Sequence, residues 1–153
     1  MKKTNQFEKL LSHRCRGFSD FELTAEAFKK ACLSPVKYIE IDTRVTKDGQ
    51  IFLHHDAVTN SHLSEKIKFA YTASSSFQKI RYKNGEELLQ LEDALNIFKE
   101  RKYKNQVLCI DIKDFGFEEL HLNLVRKADV EESVVFISWI PQSLITLKEL
   151  GTN

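Results

Sequence analysis

Glu40-Ile41-Asp42-Thr43-Arg44-Val45-Thr46-Lys47-Asp48-Gly49-Gln50-Ile51-Phe52-Leu53-His54-His55-Asp56 is the stretch on which the reading of this 153-residue chain turns. Two carboxylates one residue apart sit in an apolar, β-branched run, so the period-2 geometry of a strand sends both to the same face. Two like charges on a buried face raise each other's energy and lose hydration unless a cation or a set of donors waits there. The plain alternative is a solvated strand face. A second apolar run, Ile51-Phe52-Leu53, closes on adjacent histidines. Carboxylates with imidazoles are the parts needed to hold a divalent cation and move protons at neutral pH.

Working outward, short apolar runs alternate with amphipathic ones. A mixed or helical start at residue 7 leads to a candidate strand over 9–13. Thr24 is placed to cap a helix over 24–33, whose apolar positions include Phe28, Ala31 and Cys32. Strands are expected over 38–43 and 51–55, with Asp48-Gly49 supplying turn chemistry between them. Residues 57–85 have weak periodicity, a Ser74-Ser75-Ser76 run and an Asn84-Gly85 pair. They are expected to form a loop with one short helix, long enough to suggest function or mobility. A helix over 86–98 has Leu88, Leu91, Leu95 and Phe98 on one face. Strand 107–112, helix 117–127 and strand 134–139 follow. Helix 142–150 opens on Pro141 and is capped by Gly151. Strands separated by helices imply an α/β fold with a mainly parallel sheet covered on both sides.

Composition narrows the class. Apolar content of 42 % and charged content of 29 % suit one globular domain over 1–153. A net charge of +1, with bases scattered among acids, gives no electrostatic case for nucleic acid. After Met1-Lys2-Lys3 there is no apolar signal core, and no run approaches membrane-spanning length. Cys15, Cys32 and Cys109 are odd in number and lie in no metal-binding spacing, as thiols in a reducing cytoplasm do.

Further chemistry gathers at strand ends. In Val107-Leu108-Cys109-Ile110-Asp111-Ile112-Lys113 the acid and the base fall on one face with Cys109, opposite Leu108, Ile110 and Ile112. The carboxyl ends of buried parallel strands are where α/β sheets and barrels place their ligands. An internal Asp111–Lys113 pair would account for the two charges alone, and Cys109 suits the core. His13-Arg14 ends the first candidate strand. A lone histidine there usually packs or caps, but His13 and His55 gain weight from Glu40 and Asp42. His54 faces away from His55 and suits packing. His62 and His121 stand in a loop and a helix without supporting residues.

Together these residues resemble the glycerophosphodiester phosphodiesterase family, within the phospholipase-C-like TIM barrels. The family's opening pattern appears as His13-Arg14, Glu22-Leu23-Thr24, Ala27-Phe28 and Ala31. Its next elements appear as Ile39-Glu40-Ile41-Asp42, Thr46-Lys47-Asp48-Gly49 and Leu53-His54-His55-Asp56. Leu91-Glu92-Asp93-Ala94-Leu95, Ile110-Asp111-Ile112-Lys113 and Ser138-Trp139 continue the match. The resemblance implies a TIM (β/α)8-type barrel and a phosphodiesterase acting on small glycerol-linked phosphodiesters. It implies one divalent cation, Ca2+ or Mg2+, on Glu40, Asp42 and Asp111. It also implies His13 and His55 as the acid–base pair, Arg14 and Lys113 on the phosphate, and Glu22 in support.

Three positions depart from the family pattern. Cys15 stands where Gly follows His-Arg. The Pro-Glu-Asn-Thr element reads Phe21-Glu22-Leu23-Thr24. Asp111 replaces a more usual Glu, about one methylene shorter, although Asp is typical here of the related sphingomyelinase-type phospholipase D group. Asp48-Gly49 reads locally as a hairpin turn, whereas a barrel needs parallel neighbours. Candidate strands number about five of the eight that a barrel requires, so the chain is expected to form the N-terminal part of an incomplete barrel. Its exposed edges invite self-association or a complementing chain. The competing expectation is an inactive fragment or pseudoenzyme serving as an interaction module.

Overall fold

The computed structural model describes residues 9–152. The start expected at residues 7 and 8 lies outside the described residues. Strand β1 (Leu11–His13) leads into helix α1 (Ala25–Leu33), then β2 (Tyr38–Val45) and β3 (Ile51–Leu53). Next come a short helix α2 (Ser74–Phe77), α3 (Leu91–Lys99), β4 (Val107–Ile112), α4 (Glu118–Lys127), β5 (Val134–Ile137) and α5 (Pro141–Glu149). Among the described residues no helix is long and apolar enough to cross a membrane.

The sheet runs β1-β2-β4-β5 with every neighbour parallel. β3 is the exception: it pairs antiparallel with the end of β2, Thr43 opposite Leu53 and Val45 opposite Ile51. The sheet thus has the expected five strands, but four run in the barrel direction and β3 folds back as a hairpin on β2. The turn explains this. Gly49 takes φ +80°, which an L side chain resists, and Gly49 N–H donates to the Thr46 carbonyl at 3.0 Å. Thr46 Oγ1 donates to Asp48 Oδ1 at 2.7 Å, and Asp48 in turn accepts from the Ser74 backbone and hydroxyl.

Alternation in the strands divides the molecule. Ile39 and Ile41 of β2 and Leu108, Ile110 and Ile112 of β4 are fully buried in one cluster with the inner faces of α1 and α3. Thr24 caps α1 as expected, its Oγ1 accepting from Ala27 N–H at 3.3 Å. Glu40, Asp42 and Asp111 alternate with those apolar residues and occupy the opposite face. Truncating one such core side chain costs about 2–5 kcal/mol, so the apolar face holds the polar one in place.

Two expectations change. Residues 86–90 are extended rather than helical: Leu53 N–H donates to the Leu89 carbonyl at 2.8 Å, and Phe52 bridges Gln90. Leu88 and Leu89 point into different apolar clusters, a period-2 pattern, so α3 begins only at Leu91. The stretch 57–85 is a loop with one short α-helix, α2, as expected, but it is packed and not a mobile surface segment. Phe52, Leu63, Phe69, Phe77, Ile80 and Tyr82 build a second buried cluster, with Phe69 and Phe77 stacked at 4.5 Å. Local bridges such as Leu63 to Tyr82 hold it together.

Candidate active site

Register decides which acids meet. Asp42 lies opposite Asp111 and Glu40 opposite Cys109, across adjacent parallel strands. One carboxylate oxygen from each of Glu40, Asp42 and Asp111 lies within 4.8 Å of the others, and all three residues are buried. Lys113, two residues beyond Asp111 and on the same face, sets its Nζ 2.8 Å from Asp42 Oδ1 and 2.5 Å from Asp111 Oδ2. Burial pulls its ammonium down, but the two carboxylates outweigh this and hold its pKa above the ordinary lysine value. Arg14 closes the cluster from the end of β1. Its backbone N–H donates to Glu40 Oε2 at 2.9 Å, and its Nε lies 2.9 Å from Asp42 Oδ2, out of line for a hydrogen bond.

Three carboxylates against two cations leave one negative charge. Burial, with Asp42 beside it, raises the Glu40 carboxyl to about 7. Asp111 Oδ1 is buried without a hydrogen-bond partner among the described residues. An all-oxygen donor set with an orphaned carboxylate oxygen and surplus negative charge fits a hard divalent cation.

Arg14 and Cys15 both adopt left-handed backbone, φ 55° and 54°, and neither is glycine. Each such residue costs about 1 kcal/mol or more. The strain is held by Arg14 N–H to the Glu40 carbonyl at 3.1 Å and Leu23 N–H to the Arg14 carbonyl at 3.2 Å. The Cys15 departure therefore keeps the tight turn, and that turn aims Arg14 at the carboxylates.

The histidines sit at the rim. His13 Nε2 is 3.9 Å from Glu40 Oε2, with half its side chain exposed. Partial burial, followed by the Arg14 and Arg16 charges, lowers its pKa. His55 stands just past β3, its Nδ1 2.8 Å from Asp56 Oδ1. His55 lines a cleft of about 580 Å³ with Arg14, Arg16, Phe21, Glu22 and His62. Glu22 joins Arg14 at 3.5 Å and Arg16 at 2.5 Å, and so steadies cations rather than the carboxylates. His54 turns inward, buried against Phe69, with Nε2 3.3 Å from the Val58 carbonyl.

Sequence reasoning missed several partners. Asp56 orients His55. Arg44 holds the His55 carbonyl at 2.9 Å while pairing with Asp114 at 2.8 Å. His121, set aside as unsupported, is fully buried and bonded to Thr43. Its signal was faint: a histidine on the apolar side of a helix, where a free imidazole would be costly.

Comparison with known proteins agrees with this geometry. The chain is 26 % identical to the uncharacterized protein YqiK of Bacillus subtilis over 161 residues, covering 95 % of this chain and 63 % of that protein. Among solved structures, a glycerophosphodiester phosphodiesterase from Agrobacterium tumefaciens superposes with a TM-score of 0.80 at 20 % identity, covering 94 % of this chain and 63 % of its own. An Oleispira antarctica phosphodiesterase, solved in complex with the product sn-glycerol-3-phosphate, gives 0.75 at 18 % identity, covering 92 % and 61 %. The sheet and its helices thus have the fold of part of a TIM-type barrel that is not closed in this chain. The chain spans a little over three fifths of the length of these relatives. Residues 12–150 match the model of the glycerophosphoryl diester phosphodiesterase family, and the chain belongs to that family.

Proposed function

We propose that the protein is a metal-dependent phosphodiesterase that hydrolyses glycerophosphodiesters to glycerol phosphate and an alcohol. The observation that carries this reading is the meeting of Glu40, Asp42 and Asp111 with Lys113 and Arg14 at the carboxyl ends of parallel strands. That is where barrels of this kind place their chemistry.

Glu40, Asp42 and Asp111 would hold one Ca2+ or Mg2+, which when bound neutralises the non-bridging phosphate oxygens as charge builds on them. Lys113 and Arg14 add their charges and bind the phosphate, Arg14 with a guanidinium suited to paired oxygens. One of His13 and His55 takes the proton of the attacking hydroxyl, from water or from the substrate's own glycerol. The attacking oxygen bonds to phosphorus as the bond to the leaving oxygen breaks, and the other histidine gives that oxygen a proton. Where the glycerol hydroxyl attacks, water then opens the cyclic phosphodiester to glycerol phosphate. Asp56, on Nδ1 of His55, holds the ring with Nε2 free for this task. Arg14, Glu22 and His55 line one cleft with room for a small phosphodiester, and Arg14 joins that cleft to the carboxylates. Three unpaired, buried thiols suit a reducing cytoplasm.

The test is release of glycerol 3-phosphate from glycerophosphocholine in the presence of Mg2+ or Ca2+, with His55→Ala as control. Turnover by the wild-type protein that the variant loses supports the reading. Equal rates for both would assign the activity to a contaminant.

A further inference from the structure

Behind the acidic cluster, on the side away from the cleft, a second polar group lies among apolar side chains. Thr43 follows Asp42 in β2 and is fully buried. Its Oγ1 lies 3.1 Å from the main-chain carbonyl of Asp111 and 3.0 Å from Nε2 of His121, which is also fully buried, in α4. Nδ1 of His121 lies 2.8 Å from the Phe117 carbonyl, one turn back in the helix. A carbonyl only accepts, so Nδ1 carries the hydrogen and Nε2 of the neutral ring presents a lone pair. The Thr43 hydroxyl then has one proton, which it shares in a three-centre bond between two acceptors: the imidazole of α4 and the carbonyl of the residue that bears a site carboxylate.

This link is not required for packing. Burying a hydroxyl and an imidazole costs free energy that two apolar side chains of the same shape would avoid. What the pair does is join three elements at one point: β2 just after Asp42, β4 at Asp111, and the first turn of α4. Two strands of a sheet can shear or twist slightly against each other, and the distance between Asp42 and Asp111 would change with them. We propose that His121, acting through Thr43, is a positioning residue that fixes the separation of the Asp42 and Asp111 carboxylates and so sets the affinity of the site for a divalent cation. The inference rests on the metal-dependent reading above.

Calorimetric titration of the metal-free protein with Mg2+ and with Ca2+ tests it, comparing the wild type with His121→Phe, Thr43→Val, their double variant and Thr43→Ser. Removing a hydrogen bond that orients a ligand residue weakens metal binding about tenfold or more. The expected result is a weakening of that size in His121→Phe and in Thr43→Val. The double variant should be no weaker than either, because both act through one link. Thr43→Ser, which keeps the hydroxyl, should bind as the wild type does. That rescue separates positioning from a general loss of packing, and it stands even where His121→Phe fails to fold. Wild-type binding that Thr43→Val and His121→Phe leave within twofold would overturn the inference alone. Additive losses, or Thr43→Ser as weak as Thr43→Val, would also overturn it. A wild-type protein without saturable binding of either ion removes the metal reading and the inference with it.

Discussion

Lys113, just past the end of β4, reaches across to β2 and sets its Nζ 2.8 Å from Oδ1 of Asp42, whose side chain is 1 % exposed. The ammonium thus stands between the two strands that carry the acids, and with Arg14 it offsets two of the three carboxylate charges.

Lys113→Met is expected to destabilise the metal-free protein. Removing one partner from a buried ionic group leaves uncompensated charge, which costs about 3 kcal/mol. Urea denaturation at neutral pH in a chelator would read this as a lower midpoint, and saturating Mg2+ should recover part of it. An unchanged midpoint would mean that Asp42 and Asp111 need no internal cation.

Mg2+ or Ca2+ should raise the melting temperature of the wild-type protein, because a ligand that binds the folded state alone stabilises it by mass action. Asp111→Asn keeps the shape and removes the charge that bears the orphaned oxygen, so its thermal shift should shrink toward zero. Equal shifts in both proteins would place the ion elsewhere.

Loss of a general acid or base lowers turnover about a hundredfold or more. His13→Ala and His55→Ala are each expected to show this loss in kcat with glycerophosphocholine, and the wild type a bell-shaped dependence on pH. Asp56→Asn should lower kcat less, since it changes only how His55 is held. Full activity in either alanine variant would remove that histidine from the proton transfers.

Burial lowers the pKa of His54 and of His121 below the ordinary 6.5. Both rings are neutral in the fold, and the unfolded chain binds more protons in mild acid. Their contribution to stability is therefore complete above pH 6.5 and is lost as pH falls below it. Glu40, with its pKa raised to about 7 by burial and by Asp42, works in the opposite direction over the same window. The difference between wild type and His54→Gln isolates one histidine: the unfolding midpoint of the variant should fall less steeply between neutral pH and the acid side of 6.5. Parallel curves would contradict this.

Phe77 is 1 % exposed in the second apolar cluster, stacked on Phe69. Phe77→Ala should cost about 3–5 kcal/mol and speed amide exchange across the hairpin of β2 and β3. Fast exchange in the wild type across residues 58–82 would instead restore the mobile loop that weak periodicity suggests.

Which charged residues share a strand face was legible along the chain, because strand alternation is local. Glu40 and Asp42 share a face by their spacing alone, as do Asp111 and Lys113, and apolar Ile39, Ile41, Leu108 and Ile110 mark the opposite face. Thr24 as a cap and Gly49 at a turn are likewise decided by their own side chains. Helix and strand were harder to separate at 86–90, where Leu88 and Leu89 fit the periodic face of a helix until contact with β3 draws them into extended form.

The amino-acid order of residues 40–56 by itself determined that two acids would share one strand face and that histidines would stand at the exit of the following strand, which ends at Leu53. Tertiary structure alone decided that Asp42 would stand opposite Asp111, that β3 would fold back antiparallel on β2, and that Thr43 and His121 would meet behind the carboxylates. The physical reason is range: side-chain direction repeats every two residues within a strand, whereas register between β2 and β4 depends on how α1, α3 and α4 pack against their buried face, and no local pattern encodes that.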